Sequence, residues 1–359
     1  MRFGGRSLAV ALALSATLLA APVAQAATVS VAVGTGEEGD AVEYDFSAAG
    51  GEANRVTVTV RPPAGKHRIV VFRDAGAPLV AGEGCKAGAA GEVVCRAALG
   101  DFANSVDLAT KDRDDTVDAS AVDLRGFTVF IDGGAGSDVL TGSRTVPNAL
   151  FGDFVNSEVG DDRVTGGRRD DFLQGGPGDD VLDGGGGSDE ATYRDERRRV
   201  RADLAAGSAV SSAGERDTLR SIERLEGGDG ADILRGNAVR NVIQGLGGDD
   251  ELEGRGGDDL LQGAEGPRFS GPPDRDLLRG QSGRDTLLGD AGADLLVGGP
   301  GGDRLVGGRG PDVFSAGPGA DRLRSADGRA ETVRCGPGSD RLLADAADRP
   351  DGCEAIRLR

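Results

Sequence analysis

Between Gly280 and Arg324 an aspartate returns every nine residues, at Asp285, Asp294, Asp303, Asp312 and Asp321, each two residues ahead of an apolar side chain. The successive phrases read GQSGRDTLL, GDAGADLLV, GGPGGDRLV, GGRGPDVFS and AGPGADRLR. Residue types at this spacing suit the binding of a hard cation. The sixth position supplies a carboxylate oxygen. Glycine at the first, second and fourth positions permits positive φ, so a tight turn can aim carbonyl oxygens inward. Calcium takes roughly six to eight oxygens and mixes carboxylates freely with carbonyls. A transition metal would ask for His or Cys, which these phrases lack.

The same register recurs upstream. It places further candidate calcium ligands at Asp138 in GGAGSDVLT, and at Asp162, Asp171, Asp180 and Asp189 in the run from Ser157 to Thr192. Asp232, Asp250 and Asp259 follow after Gly227, and Asp276 lies nine residues before Asp285. Several copies depart from the phrase. Asn241 takes the sixth position of GNAVRNVIQ and keeps a neutral oxygen there. Arg169 replaces the fourth-position glycine, which puts that turn's carbonyl geometry in question, and Leu246, Arg255, Gln281 and Asp290 occupy the second position.

The elements that must position such a ladder follow from its period. Self-similarity at a short fixed spacing is the signature of a solenoid. Alternate side chains of a strand face opposite ways, so each copy sends one residue into the core, the apolar one at position eight. These are Leu140, Leu173, Leu182, Leu234, Ile243, Leu252, Leu261, Leu278, Leu287, Leu296, Leu305, Phe314, Leu323 and Leu342. Burying one Leu contributes roughly 1.5–3 kcal/mol, whereas ordering nine backbones costs on the order of 9–18 kcal/mol before hydrogen bonds are counted. So thin a core points to an ion as part of the fold.

The strict copies at residues 133, 175, 184, 227, 298 and 307 resemble the hemolysin-type calcium-binding repeats of the RTX family. The resemblance implies an all-β fold, a parallel β-roll (β-solenoid) of GGxGxDxUx nonapeptides in which two copies make one turn. Copies 18 residues apart would then stack on one edge and share a calcium ion. The implied sharing pairs are Asp162 with Asp180, Asp171 with Asp189, Asp232 with Asp250, Asp276 with Asp294, Asp285 with Asp303, Asp294 with Asp312, and Asp303 with Asp321.

Along the chain this gives a signal peptide at 1–26, a β-rich N-terminal cap at 27–110 and a first repeat block at 111–192. An Arg-rich interruption at 193–226, a second block at 227–324 and a disulfide-closed C-terminal cap at 325–359 follow. In the N-terminal segment RVTVTVR at 55–61 alternates with period two, as a half-buried strand does. Arg197, Arg198, Arg199 and Arg201 read either as a solvated loop or as a polyanion patch. The stretch containing PRFSGPPD reads as a loop bulging from one rung.

Composition bounds the function. Glycine makes up 62 of 359 residues, Trp is absent, and the net charge is −19. So acidic a chain argues against nucleic acid as a partner and makes calcium ions the natural counter-charge. Arg2 and Arg6, an apolar run and Ala24-Gln25-Ala26 form a signal peptide cut after Ala26, with a membrane anchor as the competing reading. With no second apolar stretch of spanning length, the expected product is secreted, extracellular and not inserted in a membrane. Four cysteines fit that compartment as two local bridges, Cys85 with Cys95 and Cys335 with Cys353, a structural zinc site being the alternative.

These features lead to a secreted calcium-binding repeat protein with a structural, adhesive or cell-surface role, not an enzyme. The alternative is a hydrolase with a calcium-stabilised tail. Against it, the chain has neither H-E-x-x-H nor G-x-S-x-G, and its single histidine, His67, sits in a strand-like run between Lys66 and Arg68.

Overall fold

A computed structural model of the chain describes residues 26–36, 39–64, 67–98, 104–124, 126–151, 160–211, 214–264 and 274–359. Two long sheets lie face to face, and the chain passes from one to the other with nearly every copy. The first sheet has 16 strands, from Leu79–Ala81 at one end to Ala355–Leu358 at the other. The pairings of the second run from Cys85–Ala87 to Arg349–Asp351. This is the parallel β-roll the period implies.

The rung-to-rung register is the one the repeat demands. Arg163 pairs with Val181, Phe172 with Glu190, Leu277 with Leu295, and Thr286 with Arg304, all parallel and 18 residues apart. All fourteen position-eight side chains are buried, most of them completely, and they join one continuous core. A nine-residue period therefore becomes a stack in which alternate copies fall on alternate sheets.

Insertions are absorbed without losing that register. Residues 265–273 lie outside the described residues, but they fall between the second and fourth positions of one copy. Across them Glu251 still pairs with Leu277 and Leu260 with Thr286. The interruption at 193–226 is handled differently. Arg201–Asp203, Ser208–Val210 and Arg216–Arg220 form an antiparallel meander inserted into the second sheet between Val181–Gly185 and Ile233–Arg235. The first sheet gains only Arg224–Glu226 over the same interval. The second sheet thus takes in two more strands than the first over that interval, about 10 Å at the usual interstrand spacing.

The N-terminal cap is built on another plan. Ala27–Gly36 and Gly39–Ser47 form an antiparallel hairpin, and Arg55–Ala64, His67–Asp74 and Val93–Ala98 pair antiparallel in the other sheet. Its core holds Tyr44, Phe46 and Phe72, with Phe127 of the adjoining block against Tyr44, bulkier than anything in most rungs. Cys85 is bonded to Cys95 inside it, and Cys335 to Cys353 at the far end, as the local pairing anticipates. Among the described residues no helix is long and apolar enough to cross a membrane. Residues 1–25 of the expected signal peptide lie outside the described residues.

Candidate metal centre

Each rung turns between sheets through its glycine phrase, and the turn fixes the aspartate that ends it. Where position four is glycine, the chain leaves no room for a side chain. A Cβ on Gly301 would stand 1.6 Å from the carbonyl oxygen of Gly283, and one on Gly319 1.5 Å from that of Gly301. Position two requires positive φ: Gly176 adopts 97°, Gly299 116° and Gly308 113°. Leu246, Arg255, Gln281 and Asp290 adopt 68–75° in the same place. Left-handed geometry costs an L-residue roughly 1–2 kcal/mol. Arg255 offsets it by a two-pronged ion pair to Asp203 of the meander, at 2.7 and 2.8 Å.

With the turn set, the aspartates form two ladders, one on each edge of the roll. In each of the seven implied pairs the backbone N–H of the earlier aspartate donates to Oδ1 of the one a turn later, at 2.7–3.0 Å. The pairs therefore stack as expected, with one carboxylate oxygen already engaged by backbone. Asp138 donates likewise to Asp162, Asp250 to Asp276, and Asp259 to Asp285, the last two across the 265–273 insertion.

The other oxygen is the chemically open one. Oδ2 of Asp138, Asp162, Asp189, Asp250, Asp259, Asp276, Asp285, Asp294, Asp303 and Asp321 is buried and accepts no hydrogen bond. In Asp189, Asp250, Asp259, Asp276, Asp285, Asp294 and Asp303 it lies beside the first-position glycine of its own copy. A Cβ added to Gly245 would lie 2.1 Å from Oδ2 of Asp250 and 2.7 Å from the carbonyl oxygen of Gly263 one turn on. Gly289 repeats the arrangement with Asp294 and Gly307, and Gly298 with Asp303 and Ala316. The space that glycine leaves open is thus bounded by a carboxylate and a carbonyl oxygen. A buried acceptor without a partner costs about 1–3 kcal/mol, more when charged. The residues present fit a calcium ion, which carries the charge and oxygen preference that would satisfy them.

Burial raises Asp138 and Asp294 to about 8, Asp250 to about 9, and Asp189, Asp276 and Asp303 to about 7. Asp162, Asp232, Asp259 and Asp312 rise to about 6, and Asp171, Asp285 and Asp321 are raised as well. Backbone N–H groups pull the other way in every case, and burial outweighs them.

Not every rung is equivalent. Oδ2 of Asp171 accepts the N–H of Gly167, and Oδ2 of Asp232 that of Gly228 at 2.8 Å. Asn241 keeps its place in the ladder, its N–H donating to Asp259 while its Oδ1 accepts from Asn237. Arg169, despite lacking the glycine, leaves the stacking of Asp171 on Asp189 intact.

The structure also adds rungs the candidates omit. Asn54 and Asp115 precede the candidate Asp138 on one edge. Asp217 follows Asp180, Glu223 follows Asp189, and Asp340 follows Asp321. At Asp217 the second oxygen accepts the hydroxyl of buried Tyr193 at 2.8 Å, so that rung is closed by protein. Asp274, where a fourth-position glycine belongs, brings a third carboxylate within 4.8 Å of Asp276 and Asp294. A signal was present for most of these, since Asp115, Asp217, Glu223 and Asp340 all stand two residues ahead of a buried apolar side chain.

Fold and site together define a β-roll whose edges are lined with cation-seeking carboxylates. Residues 129–144, 158–191, 221–238, 236–267, 273–304 and 297–329 match the RTX calcium-binding nonapeptide repeat (4 copies). The matched segments are calcium-binding repeats of the RTX, or hemolysin, type, and Ca2+ is the cofactor such repeats take. No curated protein matches the chain.

Proposed function

We propose that the protein is secreted and that its roll is completed by Ca2+ held at the sixth-position aspartates, giving a rigid extracellular module with a structural or adhesive role. The observation that carries this reading is the run of buried Oδ2 atoms that accept no hydrogen bond, several of them, as at Asp250, Asp294 and Asp303, beside a carbonyl oxygen of the next turn. Asp138, Asp162, Asp171, Asp180, Asp189, Asp232, Asp250, Asp259, Asp276, Asp285, Asp294, Asp303, Asp312 and Asp321 would be the side-chain ligands. Carbonyl oxygens of the glycine turns would supply the rest of the shell. Asp171 and Asp232, with their second oxygens already hydrogen-bonded, would be the weaker members. Two disulfides suit an oxidising, extracytoplasmic location. The partner would be a cell-surface or extracellular macromolecule, neither nucleic acid nor the membrane interior.

Isothermal titration of the mature chain with CaCl2 tests this. Several ions per chain should bind, with affinities of ~10⁻⁴–10⁻³ M as in other extracellular modules. Absence of any heat or stoichiometric uptake at millimolar calcium would remove the reading.

A further inference from the structure

Beyond Asp321 the phrase decays, and the degenerate copies at the C-terminal end assemble a different group of acids. Ser325–Arg334 is one residue longer than a nonapeptide, so it places Glu331, not Asp, ahead of the strand Thr332–Arg334. Glu331 is 1 % exposed, and both of its carboxylate oxygens lack a hydrogen-bond partner. Ligand oxygens of Asp327, Glu331 and Asp345 lie within 4.8 Å of one another. That is the span of one ion, because oxygens on opposite sides of a calcium at about 2.4 Å are ~4.8 Å apart.

The rim of this group is held in place by backbone. Asp327 accepts the N–H groups of Gly310 at 2.9 Å and Arg329 at 2.7 Å, and Asp345 those of Gly328 at 2.7 Å and Ala347 at 2.9 Å. These bonds fix both carboxylates yet leave each oxygen a further lone pair. Asp348 behind them accepts from Ser325, Asp345 and the N–H of Glu331. Among the described residues none of the three acids makes an ion pair. Two of them open onto a surface cleft lined by Ala326, Asp327, Gly328, Asp345 and Arg359.

We propose that Asp327, Glu331 and Asp345 form a separate divalent-cation site, suited to Ca2+, that closes the C-terminal end of the roll. It differs from the repeat sites in kind. Three side-chain carboxylates dominate it, where a repeat site offers carboxylate and glycine carbonyl oxygens, and water from the cleft completes the shell. Carboxylate charge and oxygen donors select a hard cation, and no His or Cys is present to favour a softer one. Placed just before Cys335, the ion and the Cys335–Cys353 bond would pin the last rungs from both sides.

Counting ions by CaCl2 titration of the full mature chain tests the site apart from the repeats. Glu331→Gln should bind one calcium fewer than the parent, with the remaining affinities unchanged. The double variant Asp327→Asn/Asp345→Asn, confined to the rim, should lose the same ion and serves if Glu331→Gln fails to fold. Asp303→Asn should lose binding at its own rung while keeping the cap ion, and in a chain whose repeats bound nothing the parent would still take up the one ion that Glu331→Gln loses. An unchanged count in both cap variants would overturn the proposal and leave Glu331 as a buried protonated acid.

Discussion

The N-terminal cap and the repeat blocks share the same two sheets yet hold together by different means. In the cap, antiparallel strands surround Tyr44, Phe46 and Phe72, and the buried Glu92 is answered by Arg73 and Arg61. Those partners hold the Glu92 carboxyl below its ordinary value. In the repeats, one apolar side chain per copy fills the core, and buried aspartates on both edges are raised by burial. The cap brings its own counter-charge and a full core, whereas the roll defers its counter-charge to the solvent. A linear polymer of identical rungs can be extended cheaply in sequence on those terms, but only where calcium is plentiful.

Chelation gives the largest effect this difference allows. Hydrogen exchange on the mature chain in excess chelator should show loss of amide protection through the rungs from 227 to 344, while the strands Arg55–Ala64, His67–Asp74 and Val93–Ala98 stay protected. Adding CaCl2 should restore the rungs, because binding and folding are coupled where the site exists only in the folded state. Uniform protection in chelator would mean that strand pairing alone holds the roll, and the comparison would collapse.

Much of this architecture is legible in the residues. The nine-residue period gives the sheets, position eight gives the core, and the 18-residue stacking gives the pairs of aspartates. What escapes is the division of labour within each carboxylate. Two stacked acids at one strand spacing suggest face-to-face repulsion, but the backbone N–H of the earlier one captures Oδ1 of the later and leaves only Oδ2 for an ion. The meander escapes too. Its strands at Arg201–Asp203, Ser208–Val210 and Arg216–Arg220 are short, antiparallel and free of glycine phrases, so nothing in the period marks them. Asp217 and Glu223 are hidden with it, reached by register jumps of 37 and 34 residues. Glu331 and Asp345 become neighbours only because a ten-residue copy slips the phrase.

Proton competition gives the next effect in size. An aspartate raised in the folded state from its ordinary 3.8 contributes stability that is present in acid and lost as pH climbs through its folded value. For the repeats that window runs from about 6, for Asp162 and Asp259, to about 9, for Asp250. In chelator, the denaturation midpoint of the repeats by circular dichroism should therefore be higher at pH 5.5 than at pH 8.5. With saturating calcium the order should reverse, since the ion displaces those protons. A calcium-free roll that grows more stable between these two values would contradict the assignment of uncompensated buried acids. The Glu92 cluster of the cap has the opposite sign, its contribution fading only in acid.

A pair of glycine substitutions resolves the comparison to single residues. Gly51 in the cap has φ +90°, but a Cβ there meets nothing within 4 Å, so Gly51→Ala should cost only the strain of the left-handed backbone, about 1–2 kcal/mol. Gly301 is the converse: its Cβ would lie 1.6 Å from the Gly283 carbonyl oxygen and 2.9 Å from Oδ1 of Asp303. The Gly283 backbone cannot yield without parting two rungs, so Gly301→Ala should exceed ~4 kcal/mol, the range reserved for such disruptions. It should also weaken calcium binding, because the displaced turn carries Asp303 with it, whereas Gly51→Ala should leave the binding isotherm unchanged. Denaturation in saturating calcium measures the first quantity and titration the second. Equal losses from the two substitutions would show that rung spacing relaxes freely. Glycine would then serve the repeat only through its φ, leaving Oδ2 and the carbonyl oxygens without a rigid cradle.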